Sequence, residues 1–291
     1  MKVAFIGMGT MGVGMALNIL NGGYPLTVHN RTREKEAPVV AKGALAAGSP
    51  AEAAEDADLI ITCVSDTPDV EAVLLGENGV IHGAGKGSVV IDMSTISPAA
   101  TRDMAAALAE KQIDMLDAPV SGGSEGAQKG TLAIMVGGDQ TVFDRALPIL
   151  ETMGQTITLL GPIGSGQVTK AINQVIIAAT YLGVAEGMAL GLKAGLDCKK
   201  VARAISGGAA GSWVLDNRAG NMVDNQYPLG FRVRLHHKDL KIALEAAREL
   251  GVSMPATALV DQVETGLVGR GYGDEDVSAV ARTIRELSGI L

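Results

Sequence analysis

The chain has little that would support a disulfide-stabilised, metal-binding or nucleic-acid-binding protein. Only two of its 291 residues are cysteine, and aromatic residues make up 3%. No C-x-x-C motif, H-E-x-x-H motif or cluster of Cys and His occurs, so we predict neither a disulfide nor a metal site. The formal net charge is −8 and no basic tract is present, which argues against nucleic acids and anionic membranes as partners.

The sequence also shows no recognisable targeting segment. Its first residues form an apolar, strand-like run without the basic and long apolar regions of a signal peptide, so we expect an unprocessed cytoplasmic protein. Residues 175–192 are apolar and long enough to cross a membrane. This stretch contains Glu186 and several glycines, so we interpret it as a buried core helix and expect no membrane partner.

What the sequence does contain is a large apolar fraction, 47%, together with 38 glycines, which suit closely packed helices and strands. In the first half, short apolar runs alternate with helical segments, a pattern typical of a parallel, doubly wound α/β sheet. The runs from Met115 onward follow at shorter spacing, so part of the sheet is expected to be mixed. From Cys198 onward only helical patterns occur.

A proline-free helical segment, Gln167 to Ala194, separates these two halves and would be roughly 40 Å long as a helix. We therefore predict a Rossmann-type α/β domain over residues 1–162, an interdomain helix over 163–195, and an all-α domain for substrate binding and oligomerisation over 196–291.

The first apolar run, Val3–Ile6, ends in a G-x-G-x-x-G motif and is followed at once by a helical segment. This strand–turn–helix context favours a dinucleotide site over an ordinary glycine turn, because the glycines allow a tight turn and close approach to a pyrophosphate. The helix N-terminus would add free N–H groups and a partial positive charge. We assign cofactor contacts here to Gly7, Gly9, Thr10, Met11 and Gly12.

The second predicted strand, Leu26–His29, continues into Asn30, Arg31 and Thr32. An NAD-specific site usually has an Asp or Glu at this point, whereas none of these three residues is a carboxylate that would repel a 2′-phosphate. Arg31 can form charge-assisted hydrogen bonds to that phosphate, which predicts NADP as cofactor, with NAD possible. The alternative is that Arg31 is a solvated surface charge.

Lys170, Asn173 and Gln174 lie at i, i+3 and i+4 near the start of the long helical segment, so they share one face among apolar neighbours. A lysine ammonium can donate a proton to the oxygen of a carbonyl that receives a hydride. Alternatively, the lysine only extends to the surface and the amides cap nearby carbonyls. The spacing alone leaves both interpretations open.

Ser121, Gly122 and Gly123 follow a predicted strand, where open α/β sheets bind ligands, and they could hold a substrate carboxylate; locally, a simple glycine turn is slightly favoured. Thr95 follows another strand and could contact the nicotinamide or cap the next helix. His236 and His237 are adjacent, and without further ligands we favour a helix start with surface charges over a metal or acid–base site.

These motifs together resemble the β-hydroxyacid dehydrogenase family over essentially the whole chain. The resemblance rests on Gly7–Gly12, Asp92–Thr95, Asp117–Gly123, Gly164–Gln174 and the Lys238–Leu240 triplet. It implies an active site in the cleft between a Rossmann-like and a helical domain. It also implies that the long helix joins these domains and that the protein is a homodimer or homotetramer.

The resemblance also implies roles for individual residues. Lys170 would be the general acid in reduction, and Thr95 and Lys238 would bind the cofactor, as would Val64 and Ser65 after the third long strand. The substrate site would comprise Ser121, Gly122, Gly123, Asn173, Gln174, Phe231 and Asp239.

Within the family, the tartronate semialdehyde reductase branch is the most similar, through segments such as Gly207–Ser212, Gly230–Arg232 and Gly273–Asp276. That branch implies NADPH-dependent reduction of tartronate semialdehyde to glycerate. The sequence departs from the branch at Ser124–Gly126 and carries Trp213 beside the glycine segment. Alternatives are a 3-hydroxyisobutyrate dehydrogenase, a glyoxylate/succinic semialdehyde reductase, or a non-catalytic dinucleotide-binding redox sensor that would not need Lys170.

Overall fold

The computed structural model describes residues 1–290, which divide into two compact units, Met1–Lys170 and a second unit from Ala171 onward. The first unit contains a six-stranded sheet in the order β3-β2-β1-β4-β5-β6, with every neighbouring pair parallel. Its strands are β1 (Val3–Ile6), β2 (Leu26–His29), β3 (Leu45–Ala46), β4 (Leu59–Thr62), β5 (Val89–Asp92) and β6 (Asp114–Asp117). This order is that of a Rossmann sheet, as the sequence predicted.

Both faces of this sheet are covered, which explains why β1, β4 and β5 in its middle are buried along their whole length rather than on alternate residues. In β1, Val3 and Phe5 pack into one buried cluster, whereas Ala4 and Ile6 pack into another. Successive side chains of a strand point to opposite faces, so each face has its own core.

Eight helices lie within the first unit. They are α1 (Gly12–Asn21), α2 (Ala37–Val40), α3 (Pro50–Ala54), α4 (Thr67–Leu75), α5 (Val80–Gly83), α6 (Pro98–Ala109), α7 (Gly123–Lys129) and α8 (Gln140–Met153). Between β2 and β3 the chain forms a 3₁₀ turn, Arg33–Glu36, followed by the short α2. Pro38 occupies the first turn of α2, where a proline without its N–H is tolerated.

The late strands do not extend the main sheet, contrary to the prediction of a partly mixed sheet. They form a separate three-stranded sheet, β7 (Val120–Ser121), β8 (Leu132–Val136) and β9 (Gly154–Leu159), with β7 antiparallel and β9 parallel to β8. The glycine turn predicted at Ser121–Gly123 continues directly into α7, which begins at Gly123. Its buried Ala127 accepts a hydrogen bond from Asn18 of α1 at 2.8 Å, so packing outweighs the low helix propensity of the glycines.

The long predicted helix is present as α9 (Ser165–Lys193) and crosses the boundary between the two units. Within residues 1–290 it is the one helix long and apolar enough to span a membrane, and 44% of its most apolar window is buried. A core helix of a soluble protein has the same length and composition. The predicted boundaries at residues 162 and 195 stay predictions.

The second unit is helical, as predicted, apart from an isolated bridge between Arg232 and Asp276. Its core includes Tyr181, Val214 and Val233. Its helices after α9 are α10 (Cys198–Ile205), α11 (Trp213–Val223), α12 (Val233–Leu250), α13 (Pro255–Gly269) and α14 (Val280–Leu287), with a 3₁₀ turn at Val277–Ala279.

Candidate functional site

The glycine turn between β1 and α1 contains two kinds of glycine. Gly7 has φ +110°, and a Cβ there would overlap the carbonyl oxygen of Cys63. A Cβ on Gly12 would overlap the carbonyl oxygen of Gly7. At Gly9, by contrast, a Cβ would meet no atom of the described chain within 4 Å. The first and third glycines are therefore required by the fold itself, while the space beside the second is open.

The N-terminus of α1 fits an anionic ligand. Its N-cap residue, Met11, makes no side-chain capping hydrogen bond, and the first turn contains no acidic residue. The N–H groups of that turn and the partial positive charge of the helix thus face no competing carboxylate in the turn. This arrangement and the open space at Gly9 suit the pyrophosphate of a dinucleotide. Thr10 is exposed at the same turn.

Asn30 ties the end of β2 to the glycine turn. Its Oδ1 accepts from the backbone N–H of Met8 at 2.9 Å, and its own backbone N–H donates to Oε1 of Glu36 at 2.7 Å. None of residues 30–32 is a carboxylate, but Glu36 folds back to the same strand end, which corrects the prediction of a site without a nearby carboxylate. Its charge is offset by Arg33, 3.3 Å from Oε2, and its side chain is only 4% exposed.

Arg31 extends from the same segment into solvent. Its side chain is 91% exposed and lies 3.5 Å from a carboxylate oxygen of Asp69, and Thr32 is also exposed. An exposed pair of this kind contributes little to stability. Arg31 is accordingly available to an incoming phosphate, and equally compatible with a surface charge.

The ends of β4, β5 and β6 are linked to the start of α9 within the first unit. Ser94 accepts from the backbone N–H of Val64 at 2.9 Å through its hydroxyl, and from the side chain of Gln167 at 2.8 Å through its carbonyl. Asp117 accepts from the backbone N–H groups of Gly164 and Gln167, both at 2.7 Å. This carboxylate at the end of β6 therefore caps the N-terminus of α9. Neither its role nor that of Gln167 was predicted from the sequence.

This linkage sets the position of two predicted site residues. Lys170 follows Gln167 by three residues, about one turn of α9, and is 7% exposed. Thr95 lies next to Ser94 and is half-buried. Thr95 does not cap the next helix, because Ser97 is the N-cap residue of α6. Ser65 is exposed after Val64.

Asp92, at the end of β5, is a buried carboxylic acid in this linkage. Burial raises its pKa from 3.8 to about 6, against hydrogen bonds to Ser94 and Thr62, which lower it. The Thr62 hydroxyl and the Ser94 N–H both donate to Oδ1, whereas Oδ2 has no hydrogen-bond partner among residues 1–290. An ionised Asp92 is therefore costly in this position.

We expect Asp92→Asn to gain stability relative to the wild type as pH rises. Because the folded-state pKa is raised, the contribution of Asp92 is greatest below its unfolded pKa of 3.8 and is lost as pH rises through about 6. Between acidic and neutral pH, the free energy of unfolding of the variant relative to the wild type should rise by about 3 kcal/mol. Urea unfolding of both proteins from about pH 4 to about pH 7 measures it. A difference that stays constant with pH would contradict this explanation.

Ser121 ends β7, Gly122 is the N-cap residue of α7, and Gly123 is its first residue. Ser121 is half-buried and the two glycines are exposed. Gly122 and Gly123 have φ +130° and +62°, so the turn they form disfavours other residues. The predicted carboxylate-binding segment is therefore a sharp, exposed strand-to-helix turn.

In the second unit, a chain of hydrogen bonds connects four predicted site residues. The amide of Asn173 donates to Oε1 of Gln174 at 2.7 Å, and the amide of Gln174 donates to Oδ2 of Asp239 at 2.6 Å. Lys238 lies 3.1 Å from Oδ1 of the same carboxylate. Gln174 and Asp239 are buried, so each polar group needs these partners.

The segment before α12 is held by a buried carboxylate that sequence analysis missed. Asp276, with no exposed surface, accepts from the backbone N–H groups of Gly230 and Phe231, both at 3.0 Å, and from Arg218 at 3.2 Å. The guanidinium of Arg218 also lies 4.7 Å from the centre of the Trp213 ring, which is 60% exposed. Phe231 and Trp213 are thus positioned through one carboxylate–arginine pair.

His236 and His237 are buried in α12, so the expectation of surface charges there was wrong. His236 contacts Glu264 and His237 contacts Asp261, both on α13. Within residues 1–290, no group of three or more His, Cys, Asp and Glu side chains is arranged to hold a metal ion.

Two family models together match most of the chain. A model described as the NAD binding domain of 6-phosphogluconate dehydrogenase matches residues 2–161. A second, described as NAD-binding of NADP-dependent 3-hydroxyisobutyrate dehydrogenase, matches residues 164–284. Between them these models cover both the glycine turn and the helical unit, and they support NAD(P) as the cofactor.

Several similar proteins match nearly the full length of this chain. The chain is 45% identical to an uncharacterized oxidoreductase of Bacillus subtilis, over 96% of both chains. It is 39% identical to the 2-hydroxy-3-oxopropionate reductase of Escherichia coli, over 98% of this chain and 97% of the reductase. A solved structure of Mycobacterium tuberculosis 3-hydroxyisobutyrate dehydrogenase with L-serine superposes with a TM-score of 0.90 at 30% identity, covering 98% and 99% of the two chains. The chain therefore belongs to the β-hydroxyacid dehydrogenase family, whose members are NAD(P)-dependent oxidoreductases acting on CH–OH groups.

Proposed function

We propose that the protein catalyses NADPH-dependent reduction of tartronate semialdehyde, also called 2-hydroxy-3-oxopropionate, to glycerate. The observation that carries the proposal is the position of Lys170, a mostly buried amine one turn beyond the anchored Gln167 and one turn before Asn173. The choice of substrate is supported by the similarity to the E. coli reductase and by the residues named above for that branch.

Lys170 acts as the general acid of this reaction. When bound, the nicotinamide supplies the hydride that reaches the aldehyde carbon. Negative charge then develops on the aldehyde oxygen, and the ammonium group of Lys170 donates a proton to it, so that the aldehyde becomes a primary alcohol. The neutral lysine regains its proton from water. In the oxidative direction the same amine accepts the proton of the alcohol.

The remaining site residues bind and orient the substrate and the cofactor. Ser121, with the backbone N–H groups of Gly122 and Gly123, holds the substrate carboxylate, and Asn173 and Gln174 add amide contacts. Phe231 and Asp239 border the substrate. The cofactor is held by the glycine turn, by Asn30, Arg31 and Thr32, and by Val64, Ser65, Thr95 and Lys238.

Initial rates test this function directly. Oxidation of NADPH and NADH is followed with tartronate semialdehyde, glyoxylate, succinic semialdehyde and methylmalonate semialdehyde as substrates. We expect the highest kcat/KM for tartronate semialdehyde with NADPH. A higher kcat/KM for another aldehyde acid would leave Lys170 as the proton donor but overturn the substrate, and Trp213 is then the first residue to replace.

The cofactor part of the same experiment uses Arg31→Ala. Loss of the guanidinium removes a charge-assisted contact to the 2′-phosphate, so kcat/KM for NADPH falls by about tenfold or more while that for NADH is unchanged. Lys35→Ala, an exposed cation in the adjacent 3₁₀ turn, is the matched control. An equal loss of kcat/KM for both cofactors, or the same loss in the control, would show that Arg31 is a surface charge that does not contact the 2′-phosphate.

The second candidate function is oxidation of 3-hydroxyisobutyrate with NAD, favoured by the structural similarity to the mycobacterial dehydrogenase that was solved with L-serine. Oxidation rates on 3-hydroxyisobutyrate, L-serine and glycerate separate it from the first. Cofactor binding without turnover on any of these compounds would instead support a redox sensor. We further propose a cytoplasmic homodimer or homotetramer in which α9 is a core helix.

A further inference from the structure

The side chain of His236 is completely buried between three elements of the second unit. Its Nδ1 lies 2.6 Å from Oε1 of Glu264 on α13, and neither side chain has exposed surface. Its Nε2 lies 3.4 Å from the backbone carbonyl oxygen of Gln174 on α9. The ring of Phe231 meets the imidazole edge-on at 6.0 Å between centroids. One imidazole thus contacts two predicted substrate-site residues, Gln174 at its backbone carbonyl and Phe231 at its ring.

Both polar neighbours of this imidazole are hydrogen-bond acceptors. A neutral imidazole has a single N–H, so it can donate to the carboxylate or to the carbonyl but not to both. The imidazolium form donates to both. Burial lowers the pKa of His236, but the charge and hydrogen bond of Glu264 outweigh it, so that the pKa is raised. The two contacts and the raised pKa both favour the imidazolium form of His236 beside the Glu264 carboxylate.

α12 holds residue 174 of α9 at two points. His236 contacts the backbone carbonyl of Gln174, and Asp239, three residues further along α12, accepts from its side-chain amide at 2.6 Å. The side-chain oxygen of Gln174 in turn accepts from Asn173. The contact to the backbone of Gln174 fixes the rotation of α9 at this point. The hydrogen bond to its side chain fixes the Gln174 amide and, through it, the orientation of the Asn173 amide.

We propose that His236 and Glu264 are positioning residues of the carbonyl-reducing site: they contact no substrate and act by fixing Gln174, Asn173 and the Phe231 ring. The inference rests on the substrate-binding roles proposed above for those three residues. It explains why a charged pair is present in the core of a helical unit, where two apolar residues of similar volume would be as stable or more so.

A neighbouring histidine and carboxylate, also on α12 and α13, provide a control. His237 lies 3.3 Å from Asp261 and 2.9 Å from the Thr265 hydroxyl, again between α12 and α13. No hydrogen bond or ring contact of the described chain links His237 or Asp261 to Gln174 or Phe231. Neutralising Asp261 therefore perturbs the same helix pair without touching the residues that Glu264 positions.

The experiment compares Glu264→Gln with Asp261→Asn, using whichever compound of the substrate panel the wild type turns over best. We expect Glu264→Gln to raise KM for the acid substrate by about tenfold, with kcat changed less than about threefold and the Kd for the cofactor unchanged. Asp261→Asn should change none of the three. Equal effects of the two substitutions would show that His236 and Glu264 contribute only to the packing of α12 against α13, and would overturn the proposal.

A spectroscopic measurement on the wild type keeps the proposal testable if Glu264→Gln does not fold. Nitrogen-15 NMR of the histidine rings reports whether both nitrogens of His236 are protonated near neutral pH, as two acceptors require. A ring protonated only at Nδ1 could not donate to the Gln174 carbonyl and would overturn the proposal whatever the kinetics. If the wild type turns over no compound of the panel, the proposed function fails, while the ring measurement still decides whether the pair exists.

Discussion

Replacing Lys170 by alanine is expected to lower kcat for aldehyde reduction by about 10²–10⁴-fold, with the Kd for NADPH changed less than about twofold. The amine is the group to which we assign proton donation as charge develops on the aldehyde oxygen. It makes none of the contacts that we assign to the dinucleotide, which lie at the glycine turn, at the ends of β2, β4 and β5, and at Lys238 of α12. Stopped-flow measurement of single-turnover NADPH oxidation, with fluorescence titration of the cofactor, checks both parts.

Two further variants separate proton donation from charge and from helix stability. Lys170→Arg keeps a cation, but a guanidinium does not give up its proton in proteins, so it should be nearly as inactive as the alanine variant. Lys193→Ala removes an exposed lysine from the last turn of the same helix and should retain full activity. A Lys170→Ala enzyme within about tenfold of wild-type kcat would exclude Lys170 as the general acid.

The sequence predicts the Rossmann unit well because its signals are local. β1 and β2 have the bounds that their apolar runs predict. The turn after β1 is recognisable because glycine is needed there for steric reasons, which act over a few residues. The helix α7 was missed for the same reason: its glycines indicate a loop locally, and only its packing against α1 makes it a helix.

The charged residues that organise the site were missed because their partners are distant in sequence. His236 and Glu264 are 28 residues apart, and Asp276 holds backbone groups 45 and 46 residues before it. A signal for His236 does exist. Val233, His236, Leu240 and Ala243 follow the spacing of one helix face, which places the imidazole on the buried stripe of α12. Periodicity can indicate such burial, but it cannot identify the carboxylate that compensates it.

Among the glycines of the first turn, Gly12→Ala and Gly9→Ala are expected to have opposite effects on folding and on binding. At Gly12 the added methyl group would overlap the carbonyl oxygen of Gly7, and backbone cannot move aside as a flexible side chain would. We expect a loss of about 3 kcal/mol or more in the free energy of unfolding, or no soluble protein. Thermal unfolding without cofactor measures this effect.

Gly9→Ala adds the same methyl group where no atom of the described chain lies within 4 Å, so the unfolding temperature without cofactor should be unchanged. If the space beside Gly9 is where the pyrophosphate approaches the backbone, the methyl group excludes it and the Kd for NADPH rises by about tenfold or more. Comparing the two variants shows why each position is glycine, Gly12 for folding and Gly9 for cofactor binding. If glycine were needed only for flexibility, both substitutions would have small effects. Cofactor affinity retained in Gly9→Ala would place the pyrophosphate elsewhere than this turn.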